Sequence, residues 1–112
     1  MSSDPTFTGN RLTVGDRSWV VPCPVRDARR IRGCIVVIYD YMSGPKHAVF
    51  HNVEAFDDAG RKLWTAENPG TSAADAYVEF ISVEPLIIWN YACLACTIDP
   101  ATGKLVRADF TK

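Results

Sequence analysis

The sequence predicts an all-β fold of antiparallel hairpins, and three observations carry that prediction. A short phrase is written twice: Phe56-Asp57-Asp58-Ala59-Gly60-Arg61-Lys62-Leu63-Trp64 is echoed by Ile98-Asp99-Pro100-Ala101-Thr102-Gly103-Lys104-Leu105-Val106. Each copy runs from an apolar residue through Asp and a tight Gly-containing turn to a basic residue and another apolar run. A third candidate hairpin, Leu12 to Val20, turns at Gly15-Asp16. Finally, Cys34 to Tyr41 is apolar at nearly every position and rich in β-branched and aromatic residues, as a strand covered on both faces would be.

The turn chemistry is specific. Asp at the start of a turn accepts hydrogen bonds from backbone N–H groups two or three residues on. Pro100 pre-sets φ at its own position, and Gly60 and Gly103 supply the positive φ that lets the chain return in register. Asp57 and Asp99 therefore have a structural task before any chemical one.

Taken in order, residues 1–10 read as a flexible N-terminus and residues 11–112 as a single β domain. Residues 11–14 and 18–22 make the first hairpin, and Pro22-Cys23-Pro24 interrupts the ladder because neither proline can donate to it. Arg26, Arg29, Arg30 and Arg32 fall in a predicted loop. After the apolar strand, Ser43-Gly44-Pro45 turns the chain, residues 48–56 pair with 61–67, and 68–72 form a loop. Residues 73–84 admit two readings. Ser72 with Asp75 resembles a helix N-cap followed by apolar residues at helical spacing, giving one short helix. Tyr77-Val78-Glu79-Phe80-Ile81-Ser82-Val83 has strand chemistry, and a hairpin of 77–83 with 86–91 is preferred. Residues 93–98 and 104–110 close the sheet. The expectation is seven or eight strands, in two packed sheets or one twisted sheet like part of a propeller.

The stretch Asn52 to Trp64 resembles the strand–turn–strand consensus of PQQ-like propeller blades, and Thr97 to Leu105 resembles the same element. Together with Tyr77-Val78-Glu79-Phe80 and Ile88-Trp89-Asn90-Tyr91, they look like small, functionally uncharacterised bacterial β-proteins. The repeat of about 40 residues lies in the range of a blade. A closed propeller takes about four to eight blades, more than this chain supplies, so the resemblance implies local strand geometry and no quinone cofactor.

The 112 residues suffice for one core, and 47% apolar with 22% charged residues is a globular balance. A net charge of −1 gives no global drive toward nucleic acid or an anionic membrane. The chain opens without a basic region followed by an apolar stretch, and the uncharged run Leu86–Ile98 is too short to span a bilayer as a helix. A cytoplasmic protein is the expectation.

Cys93-Leu94-Ala95-Cys96 is the sharpest candidate for chemistry. A C-x-x-C pair can place two thiolates on zinc, with Cys23 and Cys34 completing a tetrahedral site. Against this, Leu-Ala lies within an apolar strand, where positions i and i+3 face opposite sides of the sheet. Cysteine also packs as a small hydrophobe. His47 and His51, four apart on a predicted strand, would stand about 13 Å apart and lack the His-Glu-x-x-His frame. Glu54, Asp57, Asp58, Glu79 and Glu84 offer carboxylates without a motif that pairs them, so a hydrolase or ligand-binding barrel ranks lowest. The Trp and Tyr complement is large for so small a core, and Trp64, Trp89 and Tyr91 are the candidate anchors for a partner. The leading reading is a small non-enzymatic module acting through protein–protein contact, as a homo-oligomer or with another protein. The alternative is a zinc domain built on Cys93 and Cys96 with Cys23 or Cys34.

Overall fold

In the computed structural model, which describes residues 4–44, 50–70 and 76–111, the chain is all-β. Among the described residues, eleven strands form three antiparallel sheets rather than the seven or eight strands and one or two sheets expected. The first sheet holds β1 (Thr6–Thr8), β2 (Arg11–Val14) and β3 (Arg17–Val20). The second holds β4 (Val25–Ile31), β5 (Cys34–Tyr39), β6 (Val53–Phe56) and β7 (Lys62–Thr65) in that order. The third runs β11 (Leu105–Phe110), β10 (Leu94–Ile98), β9 (Leu86–Asn90), β8 (Tyr77–Val83).

Several expectations change. Thr6–Thr8, within the segment read as flexible, pairs with β2. The arginine stretch is no loop: Arg26, Arg29 and Arg30 lie on β4, and Arg32 occupies the β4–β5 turn at φ 49°. A bulge between Val25 and Asp27 puts Val25 and Ala28 into the same core three residues apart, and Ile31, three further on, is buried on the opposite face in the other core. The hairpin reading of residues 77–91 holds. The helix alternative for 73–84 fails over Tyr77–Val83, which is strand; residues 73–75 lie outside the described residues. Of the strand read over residues 48–56, Val53–Phe56 is strand and residues 50–52 are not, while residues 48 and 49 lie outside the described residues.

The second sheet is the middle layer. On β5, all six residues are buried, and the pleat sends them alternately to two cores. Cys34, Val36 and Ile38 meet Leu86, Ile88, Cys96 and Ile98 of the third sheet. Ile35, Val37 and Tyr39 meet Leu12, Val14 and Val21 of the first sheet and the segment after it. Each buried Val or Ile there contributes about 1.5–3 kcal/mol, so β5 is the strand on which both cores depend.

One packing device is used twice. Each sheet ends in a hairpin whose turn glycine has positive φ: Gly15 at 63°, Gly60 at 86° and Gly103 at 79°. Four residues after the first two glycines stand Trp19 and Trp64. Trp19 lies over Gly60, where a Cβ would come within 2.9 Å of the indole. Trp64 lies over Gly103, where a Cβ would come within 2.5 Å. The last strand of the first sheet and that of the second thus each lay an indole on the next sheet's last turn, and only glycine leaves room for it. Trp64 Nε1–H also donates to the Pro100 carbonyl at 3.0 Å. The turns themselves form as their Asp residues predict. The Asp57 carboxylate accepts from the N–H groups of Ala59 and Arg61, both at 2.9 Å, and that of Asp99 accepts from Ala101 N–H at 2.9 Å.

A buried amide joins the second and third sheets. Asn52, fully buried, donates through Nδ2 to the carbonyls of Tyr39 at 2.9 Å and Tyr77 at 2.7 Å. Its Oδ1 accepts from Tyr77 N–H at 2.8 Å. Only an amide matches this set of two acceptors and one donor. Replacing Asn52 by Leu fills the volume but strands these backbone groups in the core, and should lower unfolding free energy in urea by about 2–4 kcal/mol.

Asp57 yields a pH prediction. The Arg61 N–H, then the Ala59 N–H and the Arg61 guanidinium, hold its carboxyl below the ordinary value of 3.8. A lowered folded-state pKa contributes stability above the unfolded-state value, lost as pH falls through the folded-state value. The melting-temperature gap between wild type and Asp57→Ala should therefore be widest near neutral pH and narrow below about pH 4.

Candidate interaction face

The two outermost faces of the stack differ in chemistry. Outward from the first sheet point two rows set by strand register: Thr6, Thr13 and Ser18, then Thr8, Arg11 and Val20. Five of these six are polar. Outward from the third sheet point Glu79, Trp89, Ala95 and Asp109 in one row, and Ser82, Ile87, Thr97 and Arg107 in the next. Ile87, Trp89 and Ala95 form its centre, each only half-buried. Charged Glu79, Arg107 and Asp109 lie at its sides, all exposed. An apolar centre with a polar rim is how protein interfaces are built.

Trp89 is fixed on this face by one polar contact, its Nε1–H donating to Thr111 Oγ at 3.0 Å; that hydroxyl donates onward to the Cys93 carbonyl at 3.0 Å. At the end of β9 the chain turns through Tyr91, Ala92 and Cys93, with Cys93 in the left-handed region at φ 66°. Asn90 Oδ1 accepts from Leu94 N–H across that turn. Tyr91 is 57% exposed and packs on Tyr41 with ring centroids 5.3 Å apart. The Arg26 guanidinium covers the Tyr41 ring at 5.5 Å while its Nε–H donates to the Val78 carbonyl at 2.6 Å. Met42, next in the 3₁₀ turn Tyr41–Ser43, is 76% exposed.

Of the three anchors expected from sequence, Trp89 is half-buried and Tyr91 exposed, two positions apart along the chain. Trp64 is not an anchor. It is 8% exposed, because its ring is spent on Gly103 and its N–H on Pro100. Sequence reasoning missed Met42, which carries no motif, and counted Tyr41 only among the surplus aromatics; Arg26 was noted only for its charge.

The cysteines are dispersed. Cys34 and Cys96 are buried in the core between the second and third sheets, Cys23 packs against the core of the first and second, and Cys93 stands in the β9–β10 turn. No disulfide joins any of the four. Among the described residues, no group of three or more His, Cys, Asp and Glu side chains is placed to hold a metal ion. Burial pushes the Cys34 thiol up, against the lowering effect of nearby Arg30. His51 is exposed ahead of β6; His47 lies outside the described residues. The carboxylates are engaged one by one, Glu54 with Tyr39 OH at 2.6 Å and Lys62 Nζ at 3.3 Å, Asp58 with Arg30 at 3.0 Å, and Glu84 with Arg32 at 2.7 Å.

A family model described as "Domain of unknown function (DUF7957)" matches residues 3–110. The chain belongs to the DUF7957 family. No curated protein and no solved structure matches it. Among the described residues of this DUF7957 domain, no helix is long and apolar enough to cross a membrane.

The burial pattern predicts thiol reactivity. Cys23 and Cys93 should react with a thiol reagent in the native protein, whereas Cys34 and Cys96 should react only at the rate of unfolding. Mass mapping of alkylated peptides after brief labelling checks this, and equal labelling of all four would contradict the burial.

Proposed function

We propose that this domain is a small non-enzymatic binding module that engages a protein partner through the outer face of its third sheet. The observation that carries the reading is the contrast between the two ends of the stack. One outer face is a field of Thr, Ser and Arg, and the other centres on Ile87, Trp89 and Ala95 beside exposed Tyr91. Trp and Tyr anchor interfaces because they bury large area at small entropic cost. A blade-like repeat, as the PQQ-like resemblance implies, and a cytoplasmic setting belong to the same proposal.

The test compares affinity capture by three purified baits: wild type, Trp89→Arg, and Thr13→Arg on the opposite polar face. Proteins quantified by mass spectrometry should include at least one held by wild type and Thr13→Arg and lost from Trp89→Arg. Identical capture by all three baits, with Trp89→Arg folded by circular dichroism, would overturn the proposal.

A further inference from the structure

The free edge of the third sheet is complementary to itself. Among the described residues β11 pairs only with β10, and Val106, Arg107, Ala108, Asp109 and Phe110 are all exposed, Val106 at 64% and Phe110 at 69%. Thr111 N–H donates to the Cys93 carbonyl at 2.7 Å. Backbone groups of alternate residues point to opposite sides of a strand, so Arg107 and Asp109 also direct theirs to β10, while Ala108 and Phe110 direct theirs outward. Those outward N–H and C=O groups are an open template for another strand.

We propose that the occupant of this edge is β11 of a second copy, paired antiparallel about a two-fold axis through Ala108. The charges of the strand select that partner and that register. With Ala108 opposite the partner's Ala108, Arg107 falls opposite the partner's Asp109, Asp109 opposite the partner's Arg107, and Phe110 opposite the partner's Val106. Arg107 and Asp109 are already bridged within the strand, Nε to Oδ2 at 2.8 Å. The second strand would turn that pair into a square of alternating signs on one face, with apolar side chains on the other. Charged pairs in this position do not share backbone hydrogen bonds, so their Cα atoms approach to about 4.5 Å. The neighbouring registers that keep the backbone groups matched are self-defeating. One sets Arg107 against the partner's Arg107, and the other sets Asp109 against the partner's Asp109; like charges directly opposed are unfavourable.

The indole-on-glycine stacking that joins the three sheets cannot continue at this end. Arg107 stands four residues after Gly103, where Trp19 and Trp64 stand after Gly15 and Gly60. Association at the edge would join two four-stranded sheets into one of eight, with the outer faces continuous. The proposal is independent of what binds that outer face.

Native mass spectrometry and sedimentation at micromolar concentration test it. Wild type should run at twice the chain mass. Ala108→Pro removes an outward N–H without touching the β10 ladder and should leave only the single-chain mass, with the strand signal in circular dichroism retained. R107D should also lose the dimer, and the double swap R107D/D109R should restore it. A wild type of single-chain mass would overturn the proposal. So would a dimer that survives both Ala108→Pro and R107D, or one lost in Trp89→Arg but kept in Ala108→Pro, which would seat the second copy on the face instead.

Discussion

Everything in this domain hangs on the middle sheet being wet on neither side. A strand such as β5, apolar at every position, cannot stand at a surface, and its alternating residues need two separate layers to cover them. The first and third sheets are those layers. Hydrophobic burial alone would let them slide, since it has no preferred direction. Asn52 removes that freedom toward the third sheet, because its three hydrogen bonds are satisfied only when the start of β8 lies against the end of β5. The indoles of Trp19 and Trp64 do the same at the other end of each sheet, by shape rather than polarity.

The fold class was legible because hairpin turns are local. Asp57 and Asp99 cap their own turns, and Gly60 and Gly103 take the positive φ those turns require, all within a few residues of sequence. What was illegible depends on contacts between distant segments. Trp64 read as surplus because the glycine that receives it lies in the other copy of the phrase; a Gly-x-x-x-Trp spacing, present twice, was the available signal. β4 was hidden because a bulge at its start and burial on both of its faces replace alternation with a spacing of three, and because arginines whose guanidinium groups reach Phe80, Tyr41 and Asp58 look like loop charge.

The candidate site was partly legible for the same reason. Trp89 and Tyr91 belong to a run that alternates toward and away from the core, so one of each pair had to face outward. The cysteine motif has the spacing of a zinc knuckle without its setting. Cys96 sits in the strand and Cys93 in the turn before it, and the two residues between them send the two sulfurs to different environments. Function therefore rests on surface chemistry, where the two ends of the stack part company. The same repeated architecture closes in hydroxyls at one end and in Ile, Trp and Ala at the other, with a charged edge strand alongside.

Amide hydrogen exchange tests the central claim, that the middle sheet binds all three layers into one cooperative unit. The amides of Val36, Val37 and Ile38 should exchange most slowly, and the amide of Tyr77, held by Asn52, should exchange with them at the rate of global unfolding. A Tyr77 amide that exchanges orders of magnitude faster than those of β5 would contradict the account, because the third sheet would then open on its own.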